Sequence, residues 1–85
     1  MFSYKTRGVC SSTINIEIEN NVIKSVNFIG GCVGNLLGIG ALVKNMDIDI
    51  AIEKLKGIKC GNKSTSCPDQ LAQALMEWKK IKGVS

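Results

Sequence analysis

The chain has 85 residues and a mass of 9.1 kDa, the size of one small domain, which excludes an enzyme built as two lobes around a cleft. Hydrophobic residues at 45% and charged residues at 21% exclude a disordered chain. The formal charge of +4 is mild, the aromatic residues are Phe2, Tyr4, Phe28 and Trp78, and there is no histidine. Nucleic-acid binding by base stacking on a basic face is therefore not expected, and histidine-based nucleophilic catalysis and His-ligated zinc are excluded.

No apolar run reaches the roughly 18–20 residues that cross a bilayer, so no membrane association is expected. The opening Met1-Phe2-Ser3-Tyr4-Lys5 lacks the basic and apolar regions of a secretory signal. The expected location is the cytoplasm, where cysteines act as ligands or redox thiols more often than as structural disulfides. A domain of this size buries only about 60–65% of its unfolded surface, so a metal, a cross-link or a second subunit would help it.

Residues 1–85 read as a single domain without repeats or linkers. Residues 2–6 suit a short first strand, and residues 7–11 a loop in which Gly8 permits an unusual backbone angle. Residues 13–19 form the clearest strand, with Ile14, Ile16 and Ile18 alternating with Asn15, Glu17 and Glu19. Asn20-Asn21 reads as a two-residue turn, after which residues 22–28 return as a third strand with Val26 and Phe28 on one face. Such short connections give an antiparallel meander.

Gly30-Gly31 closes the sheet, and residues 33–44 are apolar nearly all round, as in a helix that is buried or set against a partner. Gly38 and Gly40 each cost such a helix roughly 1 kcal/mol relative to alanine unless they permit close packing. Asp47 suits the cap of a second helix over residues 48–56, with Ile48, Ala51, Ile52 and Leu55 on one stripe and Gly57 as terminator. Residues 58–66 form a polar loop. The last helix opens at Pro68, with Cys67 as its cap, and buries a stripe of Leu71, Ala74, Leu75, Trp78 and Ile81. Lys79, Lys80 and Lys82 favour its C-terminal end, and the final Gly83-Val84-Ser85 should fray.

The chemistry lies in four cysteines, Cys10, Cys32, Cys60 and Cys67. No pair has the C-x-x-C spacing of a zinc knuckle or a thioredoxin-type motif, so any shared site must be assembled by the fold. Cys10 lies in the loop before the long strand. Cys32 and Cys67 are expected at helix starts, where the backbone dipole favours the thiolate that serves as nucleophile and metal ligand. The alternative is that each is a small buried hydrophobe. Three cysteines beside Gly, Ser or Pro at element boundaries favour a shared site of Cys10, Cys32 and Cys67, with Cys60 as fourth ligand, resolving thiol or bystander.

Thr65-Ser66-Cys67-Pro68-Asp69, taken with Gly8-Val9-Cys10 and Gly31-Cys32, resembles a stand-alone member of the TSCPD-domain family over nearly the whole chain. That domain is best known as a C-terminal appendage of adenosylcobalamin-dependent ribonucleotide reductases. The resemblance carries with it the name of ribonucleoside-diphosphate reductase, but 85 residues hold neither the reductase barrel nor its nucleotide sites, so no enzyme activity is expected of the chain by itself.

More distantly, Cys10, Phe28-Ile29-Gly30-Gly31-Cys32, Cys67 and Leu71-Ala72-Gln73-Ala74-Leu75 are similar in order to the U-type iron–sulfur cluster scaffold proteins. This chain has Ser11-Ser12 where the scaffolds have Gly-Asp, and lacks the histidine they carry near the last cysteine. The similarity implies an α+β fold with a three-stranded antiparallel sheet, about three helices packed on it, and three cysteines converging at one end.

Two functional classes follow. One is a binding module in which Cys10, Cys32 and Cys67, with Cys60 or an external ligand, hold zinc or an iron–sulfur cluster. The other is a thiol redox or accessory protein for ribonucleotide reduction. The expected partners are a ribonucleotide reductase, an iron–sulfur protein, or a second copy of the chain across the Val33–Val43 helix.

Overall fold

The computed structural model describes residues 2–31, 33–59 and 61–83. Three strands, β1 (Phe2–Lys5), β2 (Ser11–Glu19) and β3 (Val22–Gly30), precede three helices, α1 (Val33–Val43), α2 (Ile48–Leu55) and α3 (Cys67–Lys82). The sheet is antiparallel in the order β1-β2-β3, an α+β architecture. The hairpin between β2 and β3 turns on Asn20 and Asn21, at φ 55° and 62°, the left-handed angles that asparagine tolerates in a two-residue turn.

The isoleucine alternation builds the inner face of the sheet. Ile14 stands opposite Phe28, Ile16 opposite Val26, and Ile18 opposite Ile23. Strict alternation along β3 would put Lys24 beside Val26 on the core side. A register shift between Glu17 and Ile18 turns Ile23 inward and leaves Lys24 exposed. The outer face is polar, with the Ser3 hydroxyl donating to Asn15 Oδ1 at 2.7 Å. A second register shift, between Ser11 and Thr13, marks the start of β2 and buries Ser11 beside the cysteine loop.

The core joins Ile14, Ile16 and Ile23 to Val43 of α1, Ile48, Ala51 and Ile52 of α2, and Leu71, Ala74 and Leu75 of α3. Trp78 is half-buried against this cluster. Ile81 departs from the expected stripe and is 64% exposed, because it lies in the last turn of α3, beyond the end of the core. The Asp47 carboxylate caps α2 as expected, accepting from the N–H groups of Asp49 and Ile50.

Between α1 and α2 the chain runs along β3. Ile23 N–H donates to Met46 O at 2.9 Å, and Asn45 N–H donates to Ile23 O at 2.7 Å. Helix α1 therefore lies on β3, and it touches the sheet closely at Gly40, where a Cβ would stand 3.2 Å from Val26 O. Leu36 and Val43 are buried, whereas Leu37 and Leu42 are 67% and 77% exposed. The nearly all-apolar helix is thus enclosed on one side only. Gly83 ends α3 at φ 70°; Val84 and Ser85, expected to fray, lie outside the described residues.

Candidate functional site

The TSCPD segment spans the end of the α2–α3 loop and the first turn of α3. Ser66, not Cys67, is the cap: its Oγ accepts from Asp69 N–H at 3.1 Å and donates to Ile58 O at 2.6 Å. A hydroxyl is the better acceptor, so the helix begins one residue earlier than the proline suggests, with Cys67 as its first residue. Asp69 is 7% exposed and fully engaged. Its Oδ1 accepts from Gly57 N–H at 2.7 Å, and its Oδ2 accepts from the Thr65 hydroxyl and from Gln73 Nε2. Burial alone would raise the Asp69 pKa, but these three donors outweigh it and hold the carboxyl below its ordinary value. Asp69 thereby clasps both ends of the α2–α3 loop.

Thr65, Ser66 and Asp69 are thus occupied in building the helix start. Cys67 is not: its sulfur meets the Ser11 hydroxyl at 3.4 Å. Ser11 adjoins Cys10, in the connection between β1 and β2. That connection is closed by Thr6, whose N–H donates to Ser12 O at 3.1 Å and whose hydroxyl donates to Ser11 O, and it turns at Gly8 with φ 71°.

Cys10 and Cys67 line one cleft of about 480 Å³. Both are free thiols; Cys10 is exposed and Cys67 half-buried. Gly34, Gly38 and Leu42 of α1 form the facing wall, and Lys63 is the charged residue at the rim. The lining is otherwise mostly apolar and contains no carboxylate among the described residues. Tertiary structure therefore brings together two of the four candidate cysteines. Cys32 and Cys60 lie outside the described residues.

Gly31, at the end of β3, packs against the cysteine loop. A Cβ on Gly31, which sits at φ 81°, would stand 3.1 Å from Ser11 N and 3.4 Å from the Cys10 carbonyl carbon, and Gly34 lines the opposite wall. Only glycine allows this approach of β3's end to the cysteine loop.

Two thiolates are half of a tetrahedral thiolate set. Among the described residues no three His, Cys, Asp or Glu side chains form a group that could hold a metal ion. With no histidine in the chain, a complete thiolate set draws on Cys32 and Cys60.

Sequence reasoning missed Ser11, Gln70, Lys63 and the α1 wall. The Ser66-x-x-Asp69 spacing, a capping-box pattern, carried the signal for the true cap. Gln70 had no such signal, because the partner that ties it to the cysteine loop, Arg7, lies 63 residues away.

No helix among the described residues is long and apolar enough to cross a membrane. No curated protein and no solved structure matches the chain. The TSCPD-domain family model matches residues 2–79, which takes in all four cysteines and all but the last three residues of α3, and the chain therefore belongs to the TSCPD-domain family.

Proposed function

We propose that the chain is a cysteine-based metal-binding module in which Cys10, Cys32 and Cys67, with Cys60 or an external ligand as the fourth donor, hold zinc or an iron–sulfur cluster. The observation that carries this reading is that Cys10 and Cys67 line one cleft while Gly31, bonded to Cys32, abuts the Cys10 backbone. Soft thiolates without a carboxylate or imidazole nearby suit zinc and iron–sulfur clusters and disfavour magnesium, calcium or manganese. Bound there, the metal would supply a cross-link between the cysteine loop, the sheet end and α3, which a domain this small can use. The chain's own contribution is the Ser66 cap and the Asp69 clasp, which hold Cys67 toward the cleft. The test is metal analysis and absorption spectroscopy on anaerobically purified protein. Stoichiometric zinc without colour, or a brown protein with iron and sulfide, supports it; metal-free protein that binds neither on reconstitution refutes it.

A thiol redox or accessory role in ribonucleotide reduction is the second reading. The exposure of Cys10 in the cleft it shares with Cys67 favours it. Intramolecular disulfide formation on mild oxidation, read by mass, together with capture of a ribonucleotide reductase, would decide for it.

A further inference from the structure

We propose that Gln70 is the positioning residue of the thiol cleft: its buried carboxamide straps the cysteine loop to the first turn of α3 and so sets Cys10 against Cys67. The proposal rests on the reading that these two thiols act as one site. Gln70 is 4% exposed. A buried amide costs free energy unless both its ends are bonded, whereas leucine would occupy similar volume without that requirement. Both ends are bonded here. Gln70 Oε1 accepts from Arg7 N–H at 3.0 Å, and Nε2 donates to Thr65 Oγ1 at 3.0 Å.

Partner chemistry fixes the orientation of the amide. Arg7 N–H can only donate, and the Asp69 carboxylate that receives the Thr65 hydroxyl can only accept, so the relay runs from Gln70 through Thr65 to Asp69. Arg7 lies beyond the end of β1, and Thr6 N–H is already committed to Ser12 O. The Gln70 oxygen thus takes up the first backbone donor of the loop outside the strand pairing.

The geometry adds a second argument. Cys67 and Gln70 stand three residues apart and share a face of α3. Gln70 holds one end of residues 7–11 through Arg7, and Cys67 meets the other end through Ser11. Cys10 lies between these two attachments. A loop pinned at both ends to one helical turn has little freedom to carry Cys10 away from Cys67.

The experiment compares wild type, Gln70→Leu and Gln70→Glu in the full chain. Amide hydrogen exchange is read in the metal-free protein and zinc affinity separately. Gln70→Leu is expected to speed exchange at Arg7 by about tenfold or more, while Ile14 and Ile16 change by no more than about fivefold. Zinc affinity should fall about 10- to 100-fold, the range for residues that orient metal ligands. Gln70→Glu keeps an acceptor opposite Arg7 but loses the donor to Thr65, so both readouts should fall between wild type and Gln70→Leu. If Gln70→Leu does not fold, Thr65→Val, which removes the other end of the strap, should still speed Arg7 exchange several-fold. Unchanged exchange at Arg7, or a rise shared equally by Ile14 and Ile16, overturns the proposal. If wild type binds no zinc but the Arg7 contrast holds, the positioning role stands and the zinc reading falls.

Discussion

The Ser11 hydroxyl oxygen lies 3.4 Å from the Cys67 sulfur, across 56 residues of sequence. This contact links the two elements that carry the described thiols, and it makes Ser11 a neighbour of any group that Cys67 binds. Ser11→Ala should leave the fold intact and change the reaction rate of Cys67 with an alkylating agent severalfold. The rate for Cys10, measured by mass spectrometry on the same sample, should move less. Equal rates in both proteins at Cys67 would dismiss a role for this contact.

The cysteines should separate by metal content. Cys10→Ser, Cys32→Ser and Cys67→Ser are each expected to lower bound zinc or iron to below about half of wild type, with the far-ultraviolet spectrum unchanged, and Cys60→Ser to lower it less. Elemental analysis of protein purified without oxygen checks this. Full metal occupancy in Cys67→Ser would eliminate the site as drawn.

The glycines give a stability test. Gly31→Ala places a methyl group 3.0 Å from Leu36 Cδ1 and 3.1 Å from Ser11 N, at a backbone angle that L-residues rarely adopt. A loss of about 1–3 kcal/mol is expected. Nothing lies within 4 Å of a Cβ on Gly38, so Gly38→Ala should gain up to about 1 kcal/mol of helix propensity. Urea denaturation midpoints should move in opposite directions, and a shared direction would contradict the packing described.

Asp69 predicts the acid limb of the stability curve. Its carboxyl pKa is lower folded than unfolded, because hydrogen bonds from Thr65, Gly57 and Gln73 outweigh the desolvation that burial imposes. Its contribution is therefore fully present above the unfolded pKa and is lost as pH falls through the folded value. Asp69→Asn should flatten that limb and destabilise the protein by about 1–3 kcal/mol at neutral pH, since one carboxylate oxygen is replaced by a donor facing donors. Identical acid profiles for the two proteins would show that folding does not shift the Asp69 pKa.

Self-association through α1 is expected from the exposure of Leu37 and Leu42. Light scattering should give a dimer mass at high concentration, and Leu37→Glu with Leu42→Glu should return it to the monomer. A monomeric wild type at millimolar concentration would set this aside.

The fold was legible where periodicity and turn chemistry act locally. The alternation of Ile14, Ile16 and Ile18 and the pair Asn20-Asn21 defined the hairpin, and Asp47 marked the start of α2. The register shift that turns Ile23 inward was not legible, because it answers to core packing opposite Ile18 rather than to any residue within β3. The cap lies one residue before the position that Pro68 marks, because the Ser66 hydroxyl accepts from a helix N–H better than a thiol does. At the site, the association of Cys10 with Cys67 followed from element boundaries. The roles of Gln70 and Ser11 did not, since Arg7 stands 63 residues from the one and Cys67 56 residues from the other.

The two-residue hairpin and the Gln70 strap also differ in when they can form. Closing β2 on β3 orders little chain, whereas joining Arg7 to Gln70 spans 63 residues and requires α3 to have docked. The hairpin therefore belongs early in folding, and the cleft late. A contact made after the transition state shows its loss in the unfolding rate alone. In stopped-flow measurements Gln70→Leu should accelerate unfolding and leave the refolding rate unchanged; slowed refolding would place the strap in the nucleus. With late closure, the thiols stay accessible to solvent until the last helix is in place.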